Sequence, residues 1–192
     1  DGLGSSGIFK ESQSIAGLSL PEGVEVVYDK GSYYVFIGNR GAGGLYRLKY
    51  TLLGAEPEET DIGNLGGMLD LPTQIVLVEE SGEWHGLVTN FNHGLLRIDF
   101  PNGLNEDPIG VDLGISGLSQ ARGLAIGNDD GNWVVFVTSF DGKITMINFG
   151  KEYLKDESIP HPIILILIYS LTQLPIIIAS TFMGVVSSCS LR

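Results

Sequence analysis

The stretch LPTQIVLVEESGEWHGLVTNFNHGLLRIDF, from Leu71 to Phe100, decides the fold. It contains an apolar run, a turn rich in acidic residues and glycine, a second apolar run that begins at Trp84, and a third run from Leu95 to Phe100. Short apolar runs separated by turn residues are typical of antiparallel strands joined by hairpins. In the third run Arg97 and Asp99 alternate with apolar residues, which predicts a strand with one face exposed to solvent.

Two other stretches repeat this order of residue types. They are LPEGVEVVYDKGSYYVFIGNRGAGGLYRLKY from Leu20 and QARGLAIGNDDGNWVVFVTSFDGKITMINF from Gln120. The equivalent aromatic residues Tyr33, Trp84 and Trp133 are 51 and 49 residues apart. A repeat of about 50 residues built from short strands is typical of a β-propeller blade. We therefore predict an all-β fold, a β-propeller segment of about four blades of four-stranded antiparallel sheet that is part of a larger ring.

The repeat also places the blade boundaries. We predict the end of a preceding blade at 1–19, blades at 20–66, 67–116 and 117–159, and an incomplete apolar blade at 160–192. Outer strands are predicted at Thr60–Ile62 and Val111–Leu113, and SGIFK from Ser6 to Lys10 resembles the third strand of the preceding blade. Because the chain begins at Asp1 in the middle of this pattern, we expect it to be an internal fragment of a longer protein.

The segment from Pro162 to Leu191 has no charged residue, so it has two interpretations. Its length fits a transmembrane helix of about 20 apolar residues. Against a helix stand Pro175, the β-branched residues, and an alignment of the stretch from Ile176 with the stretch from Val134. We therefore favour a buried blade for this segment.

Composition excludes several classes of protein. Hydrophobic residues make up 43% of the chain, which excludes disorder. The net charge of −12 and the total of 11 Lys and Arg residues exclude nucleic acid as a partner, because phosphate binding needs clustered basic side chains. A single cysteine, Cys189, excludes a disulfide within the chain.

No motif for catalysis, metal binding or cofactor binding stands out. His85, His93 and His161 lie in different repeats without zinc-ligand spacing, and Asp129–Asn132 fits a hairpin turn better than a calcium loop. No nucleophile elbow is present, and Cys189 has no nearby histidine. We therefore predict no catalytic residue, no metal and no cofactor.

Six repeated positions are predicted to be structural. The aromatic ones pack between sheets, and the small polar ones bond to loop backbone. They are Tyr33, Trp84, Trp133, Asn39, Asn90 and Ser139. Ligand binding is predicted instead for loop residues that differ among the blades and share one rim, because variable loops on a rigid scaffold usually carry binding. They are Arg40, Phe91, Asn92, His93, Phe140 and Asp141.

The blade pattern resembles NHL-like propeller repeats, and more closely those of large secreted surface proteins of gliding, Bacteroidetes-type bacteria. The residues that carry this resemblance are Leu71-Pro72-Thr73, Trp84, Leu87–Asn90, Leu96–Phe100 and Ile62–Gly66. The resemblance covers about residues 6 to 150 and implies export by the type IX system and a role in adhesion or surface assembly. The third repeat departs from it, with MINFGK where the family favours RLDFG.

The function predicted from these features is a non-enzymatic, extracellular module, secreted or at the cell surface. It would bind protein or glycan, including secretion-machinery or outer-membrane components, or act as a scaffold beside further blades of the parent chain. One alternative is part of a propeller hydrolase such as a lactonase-like enzyme, whose acid and base groups would lie at the starts of the inner strands. Those positions hold Pro21, Glu22, Pro72, Thr73, Ala121 and Arg122. Another alternative is a passenger or subunit of an outer-membrane secretion complex.

Overall fold

The computed structural model describes residues 14–52, 54–151, 163–168 and 176–178, the last two ranges as backbone only. These residues form three antiparallel sheets. The first sheet has the order β1-β2-β3-β4, with strands Pro21–Asp29, Ser32–Asn39, Gly44–Tyr50 and Glu58–Gly63. The second has the order β5-β6-β7-β8, with strands Pro72–Glu80, Glu83–Asn90, Gly94–Phe100 and Ile109–Asp112. Short 3-10 turns follow the first sheet's second and fourth strands, at Arg40–Ala42 and Leu65–Gly67.

The third sheet contains β9 (Ala121–Asp129), β10 (Asn132–Ser139) and β11 (Ile144–Gly150), followed by β12 (Ile163–Ile168) and β13 (Ile176–Ile178). We refer to the three sheets as blades 1, 2 and 3. Their first strands, β1, β5 and β9, lie next to one another as the inner strands. The fold is thus an all-β, propeller-like arc, which is open in the part of the chain that the structure describes.

Each inner strand turns into the second strand of its blade through the same two-residue hairpin. Both turn residues have positive φ in all three blades: Lys30 (46°) and Gly31 (84°), Ser81 (56°) and Gly82 (85°), and Asp130 (49°) and Gly131 (86°). A type I′ turn requires this backbone conformation, and its twist matches that of the flanking strands. The three turns therefore lie at one end of the arc, and the starts of the inner strands lie at the other.

Two apolar cores hold the arc together, one on each face of blade 2. The core against blade 1 includes Phe36 and Phe100, whose ring centroids are 5.3 Å apart in an edge-on arrangement. The core against blade 3 includes Leu87, Val135 and Ile147, all almost completely buried. Blade 2 is therefore covered on both faces, as expected for an internal blade.

The prediction that one face of the third strand is solvent-exposed is wrong for blade 2. Arg97 on β7 is only 4% exposed, and Leu95 on the same face of the strand packs in the core against blade 3. The buried charges are paired within the sheet: Asp99 accepts from Arg97 Nη2 at 3.0 Å and lies 2.7 Å from Nδ1 of His85. The polar residues that alternate with apolar ones along β7 therefore form a buried ion-pair network and do not face solvent.

The described strands of the apolar tail extend blade 3. β12 pairs with β11, matching Leu165 with Met146, and β13 pairs with β12. Within these ranges the strands are thus the fourth and fifth of the third sheet, and not part of the separate fourth blade expected at 160–192. The rest of that blade, like the strand expected at 6–10, falls outside the described residues. Among the residues placed, no helix is long and apolar enough to cross a membrane.

Candidate functional site

The end of the arc where the inner strands begin is built by a repeated backbone feature. Leu20, Leu71 and Gln120 immediately precede the three inner strands, and each has a positive φ, of 47°, 59° and 56°. For residues with a side chain this conformation is strained, and such strain is concentrated at functional sites. The loop after the second strand is tied to these residues, since Phe91 donates its N–H to the Leu71 carbonyl and Phe140 donates to that of Gln120. The variable loops therefore lie beside the inner-strand starts.

Hydroxyl groups and one glycine fix the inner strands to one another at this end. The Oγ1 of Thr73, in blade 2, lies 3.1 Å from the carbonyl oxygen of Arg122, in blade 3, and Oγ1 of Thr89 lies 3.0 Å from the same oxygen. On the other side, a Cβ added to Gly23 would lie 2.5 Å from the Thr73 carbonyl oxygen, so only glycine fits. These close contacts position the backbone from which Glu22 and Arg122 project.

Five side chains from all three blades converge at this end, and we call them the strand-start cluster: Glu22, Arg40, Phe91, Arg122 and Phe140. Nη1 of Arg122 lies 3.0 Å and 3.1 Å from the two carboxylate oxygens of Glu22, 100 residues away in the sequence. Nη1 of Arg40 lies 3.3 Å from Glu22 Oε1. Both guanidinium groups lie over the ring of Phe91, at 5.5 Å and 5.3 Å, and that of Arg122 also lies 5.6 Å from the centre of Phe140.

The cluster combines positive charge with aromatic surface. Two guanidinium groups face one carboxylate, which leaves a surplus positive charge, and the aromatic rings add favourable cation–π contacts. The side chains of Arg40 and Arg122 are 26% and 35% exposed, so the cluster is open to a ligand. Even so, Nε of each arginine is buried and has no hydrogen-bond partner among the described residues. Such buried donors are costly and lie out of reach of a ligand, so a ligand would meet the Nη2 groups instead.

Glu25 lies three residues beyond Glu22 on the same inner strand. Burial raises the pKa of its carboxyl, and a hydrogen bond from the backbone N–H of Leu77, at 3.4 Å, opposes the shift. A carboxyl with a raised pKa keeps its proton to higher pH, which is the property required of a general acid. The inner strand of blade 1 therefore carries two carboxyl groups in different environments.

The structure brings together three of the six predicted loop residues, Arg40, Phe91 and Phe140. Asn92 and His93 belong to a separate group, in which Asn92 Nδ2 donates to Asp70 at 2.7 Å and His93 Nε2 lies 3.9 Å from the same carboxylate. His93 also lines a small pocket with four other residues: Met68, Leu95, Leu96 and Asp112.

Asp141, the sixth loop residue, is paired with Lys143, and this hydrogen bond holds the pKa of its carboxyl below the usual range. It follows Phe140 in the chain, and no ion pair among the described residues joins it to Glu22, Arg40 or Arg122. Glu22 and Arg122 were recognised in the sequence only as strand-start positions. Their position near the starts of inner strands is the sequence feature that points to the cluster.

The repeated polar and aromatic positions support the frame around the site. Asn39 Oδ1 accepts from the N–H of Ser19 at 2.7 Å, and Asn90 Oδ1 accepts from that of Asp70 at 3.0 Å. Trp133 packs on the core between blades 2 and 3 and donates its indole N–H to Glu80 at 2.8 Å. Trp84 packs on the core between blades 1 and 2, and Tyr33 lies 4.8 Å from the ring of its cross-strand neighbour Tyr28 in a tilted arrangement. Ser139 donates its backbone N–H to the carbonyl of Lys143.

Comparison with known proteins shows the fold. The chain is similar to the catalytic domain of a GH62 alpha-L-arabinofuranosidase from Coprinopsis cinerea, with a TM-score of 0.56, 14% identity and 81% of the chain covered. It is similar at the same TM-score and coverage to an alpha-L-arabinofuranosidase from Podospora anserina in complex with cellotriose, with 12% identity. In both cases the chain spans 54% of the length of the solved structure. Neither a family model nor a curated protein sequence matches it.

These similarities correct the functional interpretation of the sequence. A non-enzymatic binding module, and hence the prediction of no enzyme, is contradicted because the propeller-like fold is shared with catalytic domains of glycoside hydrolases. The sequence argument discounted an enzyme for lack of acidic groups at the inner-strand starts. Glu22 is an acidic group at one of these starts, and burial raises the pKa of Glu25 farther along the same strand.

Proposed function

We propose that the chain is part of a β-propeller hydrolase that cleaves glycosidic bonds, with the strand-start cluster and Glu25 in its active site. The observation that carries the proposal is the convergence of Glu22, Arg40 and Arg122 from blades 1 and 3 at the inner-strand starts. The likeness of the fold to arabinofuranosidase catalytic domains supports the same reaction class.

Hydrolysis of a glycoside uses two carboxyl groups with different tasks. Glu25, whose pKa is raised by burial, is assigned as the general acid that donates a proton to the oxygen of the departing sugar. Glu22 is assigned as the carboxylate that accepts a proton from the attacking water. The C–O bond to the leaving sugar breaks as the bond from the water oxygen to the anomeric carbon forms, so atoms and charge balance.

The test is release of reducing ends from arabinoxylan, xylan and polygalacturonate by the full chain. We expect the wild type to hydrolyse at least one of them, and Glu25→Gln to lower kcat by about 100-fold or more, because general acid catalysis contributes that much. Glu83→Gln is the matched control, since Glu83 is an exposed carboxylate at the start of β6. Full activity in Glu25→Gln and Glu22→Gln, or no release from any glycan, would contradict the proposal.

The cellular location follows from this proposal. A hydrolase that acts on polymeric glycans meets its substrate outside the cell, so we infer that the protein is secreted. Attachment to the cell surface, export by the type IX system and kinship with NHL-like repeats stay predictions from the sequence resemblance alone.

A further inference from the structure

We propose that the strand-start cluster selects a glycan that bears a uronic acid, with the sugar carboxylate bound by Arg40 and Arg122. This inference rests on the proposed function, because it names the substrate class of the same site. It is carried by three observations: the surplus positive charge of the cluster, the unpaired donors of its arginines, and the way in which Glu22 is held.

The strand-start cluster has a net positive charge, whereas the chain as a whole is strongly acidic. The chain has 23 acidic and 11 basic residues, yet here two arginines share one carboxylate, Glu22. In a strongly acidic protein, a local positive charge at an open rim favours an anion over a neutral sugar. Glu22 balances the charge of one arginine, and a sugar carboxylate bound beside it would balance the charge of the other.

The other two described arginines each donate hydrogen bonds from two nitrogens of the guanidinium group. Arg47 donates from Nη1 to two backbone carbonyls and from Nη2 to Thr60. Arg97 uses both Nε and Nη2 on Asp99. In Arg40 and Arg122, by contrast, Glu22 engages only Nη1, and Nε is buried out of reach of a ligand. Nη2 of each has no partner among the described residues and is not one of their buried, unpaired atoms. These two arginines therefore retain donors for a ligand.

Glu22 itself demonstrates the recognition chemistry. Both of its carboxylate oxygens lie within 3.1 Å of one guanidinium nitrogen of Arg122, and Arg40 approaches one of them from blade 1. Glu22 contacts one nitrogen of each guanidinium group and does not use the two-nitrogen fork. Charge-assisted bonds between guanidinium and carboxylate groups are about twice as strong as neutral hydrogen bonds. The guanidinium carbons of Arg40 and Arg122 lie 5.5 Å and 5.3 Å from the centre of the Phe91 ring, so both groups share one aromatic surface.

Calorimetric titration of the full chain tests the proposal, with a galacturonate trisaccharide and neutral cellotriose as probes. We expect galacturonate to bind at least about tenfold more tightly than cellotriose, and Arg40→Gln and Arg122→Gln to weaken galacturonate binding by about tenfold each. Lys151→Gln is the matched control. It removes the same charge at the opposite end of the arc, where the Lys151 side chain lies beside Gly131 in the hairpin turn.

Glu22→Gln provides a test that does not depend on losing an arginine. It removes the carboxylate that competes for Arg40 and Arg122, so we expect galacturonate to bind several-fold more tightly while hydrolysis is lost. Equal binding of galacturonate and cellotriose, or an equal loss in Lys151→Gln, would overturn the inference. So would a sulfated trisaccharide that binds as tightly as galacturonate, since it would show selection for charge without selection for a carboxylate.

The two proposals fail in different ways. Hydrolysis of neutral glycans with no preference for galacturonate would overturn the uronate inference and leave the hydrolase proposal standing. Tight, arginine-dependent binding of galacturonate without hydrolysis of any glycan would overturn the hydrolase proposal and leave the binding site standing.

Discussion

Glu25 links stability and activity at the scale of a single residue. Burial raises the pKa of its carboxyl above the ordinary value of 4.5. Between pH 4.5 and this raised pKa, the carboxyl is protonated to a greater extent in the folded chain than in the unfolded chain. Its contribution to stability is therefore present below about pH 4.5 and is lost as the pH rises through the raised pKa. A group with this behaviour destabilises the fold at neutral pH, which is common for residues kept for catalysis.

Replacing Glu25 with glutamine should stabilise the protein while removing activity. The neutral amide has no charge to desolvate, so we expect the Tm of Glu25→Gln to exceed that of the wild type at pH 7 and to approach it at pH 4. Thermal unfolding followed by circular dichroism across this range measures the difference. Glu83→Gln, at an exposed position, should follow the wild type. A constant difference between Glu25→Gln and the wild type at every pH would contradict the assignment.

At the scale of the element, the hairpin turns explain why the blades share one geometry. In blade 3 both turn residues have positive φ, and Gly131 is at 86°. Gly131→Ala should lower the free energy of unfolding by about 1 kcal/mol, because a Cβ is disfavoured in this conformation. Gly127→Ala on β9 is the matched control, since a Cβ there meets nothing within 4 Å and φ is not positive. Urea unfolding measures both, and an equal effect would show that the turn conformation is not responsible.

The elements also show what the sequence could and could not predict. The repeat predicted the inner and second strands, because apolar runs beside turn residues report local structure. The buried polar face of β7 was missed, because the alternation along one strand does not reveal that Asp99 pairs with His85 on the adjacent strand β6 of the same sheet. The loop residues Arg40 and Phe91 could be proposed from their variation among blades, but the contact of Arg40 with Glu22 and that of Phe91 with Arg122 could not.

At the scale of the whole molecule, the site exists only because three blades are packed in a defined order. Arg122 reaches Glu22 across 100 residues of sequence, and the close approach of Gly23 to the Thr73 carbonyl holds blades 1 and 2 together at the same end. No local pattern encodes such a distance. It depends on the angle between sheets, which is set by the two apolar cores on either side of blade 2.

Both proposals require glycans to bind at the inner-strand starts, and chemical-shift mapping of the full chain locates the binding site. A ¹H–¹⁵N spectrum recorded with a mixture of neutral and uronate-bearing oligosaccharides would report on every ordered backbone amide. We predict the largest shifts at Glu22, Arg40, Phe91 and Arg122, with the three hairpin turns at the opposite end unchanged. Shifts confined to those turns, or none at saturating oligosaccharide, would contradict the claim.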